Sequence, residues 1–111
     1  MKQSENRLQS ECYLHFHNTC PALRGRLFLC HNNPRNAIDG ARLRSIGMVA
    51  GVSDMIYLRD NMPPLCLEFK TSTGSQQRVQ KEWQAVAEAT GCEYSIIRTF
   101  DEFCQALGIA P

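Results

Sequence analysis

Residues 65–72 read LCLEFKTS. Leu65, Cys66, Leu67 and Phe69 mark a buried strand, yet Glu68 and Lys70 stand inside it, two residues apart. Successive side chains on a strand point to opposite faces. Glu68 and Lys70 therefore emerge together, on the face that carries Cys66, while Leu67 and Phe69 point the other way. An acid and a base on an exposed face commonly make a solvated ion pair that contributes little. The segments on either side decide whether this pair does more.

Just upstream, DNMPP at 60–64 is turn chemistry, with Pro63 and Pro64 ending the pairing. Before it, SDMIYLR at 53–59 reads as a strand that follows Gly51. The two strands make a hairpin. Placing Arg59 near Leu65 across the turn puts Asp54 opposite Lys70 and close to Glu68. Two carboxylates and one lysine then converge at one end of the hairpin. Adjacent carboxylates repel unless a positive charge lies between them. A divalent cation is one solution, and Mg²⁺ typically takes one or two protein carboxylates together with waters and substrate phosphate.

The remaining segments complete an α/β pattern. Residues 4–18 read as a helix, capped by Ser4, with Leu8, Cys12 and Phe16 as an apolar stripe. RLFLCH at 26–31 is a strand, and NNPRN at 32–36 is a turn. A short helix over 36–46 carries Arg42 and Arg44 and stops at Gly47. After the TSTGS loop, Ser75 is the expected cap of a helix over 76–90, whose buried face is Val79, Trp83, Val86 and Ala87. EYSIIR at 93–98 is the last strand. Thr99 and Glu102 match a capping box for a final short helix with Phe103 and Leu107. The predicted order is αβ(α)ββαβα, a small mixed sheet flanked by helices in a single domain spanning 1–111. Phe100, Phe103, Leu107 and Ile109 suit either the core or a subunit interface.

The net charge of +1 excludes little, but its distribution is uneven. Arg24, Arg26, Arg35, Arg42 and Arg44 face only Asp39 in their stretch, whereas Glu82, Glu88, Glu93, Asp101 and Glu102 face only Arg98. A basic region of this kind suits a phosphate-rich partner. The six cysteines form no C-x-x-C and no zinc-knuckle spacing. They read as small hydrophobes of a reducing, cytoplasmic environment. No signal peptide or membrane-length apolar run is visible. His15 and His17 face apart on their helix, and His31 stands alone, so a histidine metal site is not expected.

Asp54 of GVSD, followed fourteen residues later by EFK, resembles the D…(D/E)-x-K core of the PD-(D/E)XK nucleases. The ordered set ENRLQSEC at 5–12, NNPRN, GARLRSIGMVAGVSD at 40–54, CLEFKTSTGSQQRVQKEW at 66–83 and RTFDEF at 98–103 resembles the small stand-alone VRR-NUC domains of phages and bacteria. Ser53 departs from that pattern, which usually has proline there. The resemblance implies a restriction-endonuclease-like core and Mg²⁺- or Mn²⁺-dependent hydrolysis of DNA phosphodiester bonds. It makes Asp54, Glu68 and the Phe69 carbonyl metal ligands, with Glu5 as the acid on the first helix. Lys70 would orient or deprotonate the attacking water, and Gln80 would join the site. Arg35, Arg42, Arg44 and Asn33 are the expected DNA contacts. The implied substrate is branched DNA of the Holliday-junction type, cut by a symmetric homodimer in the cytoplasm of a bacterial or phage-infected cell.

Other readings are a flap or nicking endonuclease of the same superfamily, a DNA-binding module without catalysis, and a redox or small-molecule domain. The complete Asp54, Glu68 and Lys70 set argues against the inactive module. The lack of a C-x-x-C or a glycine-rich phosphate loop argues against the last.

Overall fold

The short apolar runs of the chain pair into one four-stranded sheet, seen in a computed structural model. It describes the backbone of residues 2–111 and the side chains from residue 5 onward. The strands are β1 (Leu27–Leu29), β2 (Met55–Tyr57), β3 (Leu65–Phe69) and β4 (Glu93–Ile97), in that spatial order. β1, β2 and β3 are antiparallel neighbours, and β4 lies parallel to β3. A parallel neighbour needs a crossover, here α3 (Arg78–Ala89). The other helices are α1 (Lys2–Thr19), α2 (Ala37–Ser45) and α4 (Phe100–Leu107). The order matches the αβ(α)ββαβα expectation. The expected cap Ser4 lies outside the described side chains.

Alternation gives the sheet two chemically different faces. Leu27, Met55, Tyr57, Leu65, Leu67, Phe69 and Ile97 share one face and are buried. Cys12 and Phe16 of α1 and Phe103 and Cys104 of α4 complete this core, with Leu8 partly buried beside them. Phe100, Leu107 and Ile109 pack against the same cluster, so the C-terminal apolar residues finish the core. The Thr99 capping box forms as expected: the Thr99 side chain accepts from the Glu102 N–H, and Glu102 Oε1 accepts from the Thr99 N–H, both at 3.1 Å. All six cysteines are free thiols. Burial pushes the Cys12 thiol up to about 12 and the Cys66 thiol to about 11, which keeps both neutral. No helix among the described residues is long and apolar enough to cross a membrane.

Three local expectations are corrected. The hairpin pairs Met55 with Leu67 and Tyr57 with Leu65. One step further along this register, Asp54 comes level with Glu68 rather than Lys70. A slip of two residues leaves every side chain on its original face, so the hydrophobic pattern does not distinguish the two registers. The second correction concerns the start of α3: its cap is Gln77, whose N–H donates to Gln80 Oε1 at 2.8 Å, and not Ser75. The third is the roll of α3. Val79 and Val86 are exposed, and the inward positions are Gln80, Trp83, Gln84 and Ala87. The sheet surface on this side carries Glu68 and Tyr94, which require polar neighbours.

Candidate active site

The second face of β3 carries Cys66 and Glu68, and Lys70 follows directly after the strand; all three are buried. Glu68 is 1% exposed and Lys70 6%. This acid and base are therefore no solvated surface bridge. Lys70 Nζ lies 3.7 Å from Glu68 Oε2, too far for a hydrogen bond. The other oxygen, Oε1, accepts from the Tyr94 hydroxyl at 2.5 Å and from Gln76 Nε2 at 3.0 Å. Gln76 Nε2 also donates to Gln84 Oε1 at 2.8 Å, and Gln84 Nε2 donates to Glu88 Oε2 at 3.3 Å. Among the described residues, Glu68 Oε2 is the buried side-chain oxygen left without a hydrogen-bond partner.

Asp54 reaches the same place from the end of β2. Its Oδ2 accepts from the Phe69 N–H at 2.7 Å, which ties the acid to the strand that bears Glu68. Burial pushes the Asp54 carboxyl above its ordinary range; the Phe69 N–H pulls it back, and the negative charges of Glu68 and Glu5 raise it further. The backbone leading to Asp54 is fixed from several sides. Asn32 Nδ2 donates to the Val52 carbonyl at 3.0 Å, and the buried Ser53 hydroxyl donates to the Met55 carbonyl at 3.1 Å. Gly51 has φ +82°, and a Cβ there would sit 2.1 Å from the Val79 carbonyl oxygen. This close approach needs glycine and sets the loop before β2 directly against the first turn of α3.

A cleft of about 500 Å³ opens over these groups. Of the candidate residues, Glu5, Asn33, Arg44, Asp54, Lys70 and Gln80 line it. Glu68 and Phe69 do not line it; both are buried next to residues that do, Glu68 3.7 Å from Lys70 and the Phe69 N–H bonded to Asp54. Arg35 and Arg42 do not line it; both pair with Asp39, at 3.7 and 3.0 Å. The Arg35 N–H and the Arg42 guanidinium hold the Asp39 carboxyl below its ordinary range. Arg26 pairs with Asp60, and Arg24 bonds the His17 carbonyl. The basic stretch of sequence thus places Arg44, rather than all five arginines, on the cleft wall. His31 is exposed and does not line the cleft.

The residues present fit a hard divalent cation. A buried carboxylate oxygen without a donor is costly, and a cation beside Glu68 Oε2 and Asp54 removes that cost. All-oxygen donors suit Mg²⁺ or Mn²⁺. No three His, Cys, Asp or Glu side chains converge as a metal cage among the described residues. Two carboxylates with waters and phosphate are nonetheless a normal Mg²⁺ set. Sequence reading did not find Tyr94, Gln76 or Gln84. Tyr94 reaches Glu68 because β4 lies parallel to β3, with Cys66 level with Tyr94 and Glu68 level with Ile96, and no local signal gives that register.

Comparison with protein-family models finds no match, and no curated protein matches the chain. Among solved structures, one described as a VRR_NUC domain protein is similar over 94% of this chain and 84% of its own, with a TM-score of 0.77 and 16% sequence identity. At that identity the likeness is one of architecture, and it agrees with the fold expected from the sequence: the chain has the fold of a VRR_NUC domain protein.

Proposed function

We propose that this protein is a Mg²⁺- or Mn²⁺-dependent DNA endonuclease of the VRR-NUC type, acting on branched DNA as a homodimer. The observation that carries the reading is Glu68 Oε2, a buried carboxylate oxygen with no hydrogen-bond donor, 3.7 Å from the Lys70 that lines an open cleft together with Asp54. A divalent ion bound there supplies polarisation of the scissile phosphate and charge neutralisation at the leaving oxygen.

The chain's own groups do the rest. Asp54 and Glu68 provide the negative charge that holds the ion, with the Phe69 carbonyl and Glu5 as further oxygen donors. Lys70, buried and lining the cleft, orients or deprotonates the attacking water and steadies the phosphate charge. Gln80 accepts from the Gln77 N–H through Oε1, leaving its amide NH₂ to donate to a bound phosphate or water. Arg44 contributes a cation on the wall, and Asn33 a polar contact at the rim.

Incubation with Mn²⁺ and four-way junction, flap, nicked and linear DNAs tests this. Cleavage of branched DNA in preference to linear duplex is expected, with complete loss on chelation or in Glu68→Gln. Binding of DNA without cleavage of any substrate, despite bound Mn²⁺, would refute the nuclease reading and leave a binding module.

A further inference from the structure

The two oxygens of Glu68 differ sharply. Oε1 is held by two donors from separate elements, Tyr94 on β4 and Gln76 ahead of α3, while Oε2 has none. Gln76 is itself fixed by Gln84 on α3. A free glutamate has several rotamers; this one is gripped at one oxygen, so the position of the other is set. Tyr94 packs against the lone tryptophan, Trp83, with ring centroids 6.2 Å apart, so the hydroxyl is aimed by α3 as well as by β4. Lys70 Nζ, 3.7 Å from Oε2, is an ion-pair neighbour but lies beyond hydrogen-bond reach of it.

We propose that Tyr94 and Gln76 are positioning residues that saturate Glu68 Oε1 and so dedicate Oε2 to the metal ion, an assignment that rests on the metal-site reading above. Neither residue lines the cleft. Their effect is on how well the carboxylate is pre-placed, and outer hydrogen-bond partners of metal ligands commonly matter at this level. A rigid carboxylate also favours small ions: Mg²⁺ demands near-ideal octahedral geometry, whereas Ca²⁺ accepts flexible coordination.

Calorimetric titration of Mn²⁺, Mg²⁺ and Ca²⁺ into wild type, Tyr94→Phe, Gln76→Ala and Glu68→Gln tests the assignment without reference to cleavage. Tyr94→Phe keeps the ring and removes only the hydroxyl. It should weaken Mn²⁺ binding by about tenfold or more, and weaken Mg²⁺ more than Ca²⁺. Gln76→Ala should act in the same direction. Trp83 emission reports whether α3 stays packed on β4. If Tyr94→Phe does not fold, Gln76→Ala decides, since Gln76 is half-buried and precedes the helix. Wild-type Mn²⁺ affinity in the folded variants, or equal weakening of Mg²⁺ and Ca²⁺, would overturn the positioning role while leaving the metal site intact. Failure of wild type to bind Mn²⁺ would instead overturn the metal-site reading, and the positioning role with it.

Discussion

Asp54 is held at the cleft floor in an ionisation state that works against the fold. Burial and the neighbouring acids raise its folded pKa, so the folded chain holds this proton more tightly than the unfolded chain. The group's stabilising contribution is full below the unfolded carboxylate value, about 4, and is lost as pH rises through the raised folded value. Asp54→Asn should therefore melt above wild type at pH 7 in metal-free buffer, with the gap closing toward about pH 4. The same variant should lose cleavage. A lower melting temperature at pH 7, or unchanged cleavage, would contradict the assignment. Lys70→Ala should keep metal binding but slow cleavage on the order of 10²-fold, and single-turnover kinetics separate the two defects. Gly51 makes a different kind of demand. Its positive φ and its closeness to the Val79 carbonyl exclude any side chain. Gly51→Ala should cost more than about 1 kcal/mol in urea unfolding and loosen Asp54 against α3. Unchanged stability would mean that the approach is easily relaxed.

α2 and α3 divide the polar work around the cleft. On α2, Asp39 neutralises part of the charge of Arg35 and Arg42, while Arg44 lines the cleft and has no ion pair among the described residues. A side chain that neutralises one duplex phosphate contributes about 0.9 to the slope of log DNA affinity against log salt. Arg44→Ala should flatten the slope by about that amount, and Arg42→Ala should change it less. Equal slopes for wild type and Arg44→Ala would remove Arg44 from the DNA surface. α3 is rolled so that Gln84 holds Gln76, the donor to Glu68 Oε1, and Val79 and Val86 are left 40% and 61% exposed. Partial exposure of a valine costs a fraction of its ~1.5 kcal/mol burial term. A buried carboxylate stripped of its donors costs about 1–3 kcal/mol or more, so the polar requirement decides the roll.

Asp54 and Lys70 of the cleft, with Glu68 beside them, make one candidate site per chain, which in the proposed reading cuts one strand. Paired cuts at a four-way junction need a second copy related by symmetry, which a two-fold dimer provides. Phe103 is buried in the core, and Phe100, Leu107 and Ile109 are half-buried against it. Light scattering at micromolar concentration should give a dimer, and cleavage should favour the junction over the flap. A monomer that cuts flaps and ignores junctions would remove the dimer and leave the nuclease reading.

Much of this was legible in the chain because its signals are local. Period-two alternation places Glu68 and Lys70 on one face, opposite Leu67 and Phe69. Spacings of four give the Leu8, Cys12 and Phe16 stripe, and the Thr99 and Glu102 pair marks the start of α4. The order of elements follows from the same signals. The hairpin register was not legible, because a slip by two preserves both faces and only interactions distant in sequence select between them. The roll of α3 depended on a buried acid of another element. The parallel placement of β4, which carries Tyr94 to Glu68, arises from a long crossover through α3. The acids and the lysine that define the site are a property of the sequence. How one oxygen of Glu68 is clamped and the other left open is a property of packing between segments that no local pattern connects.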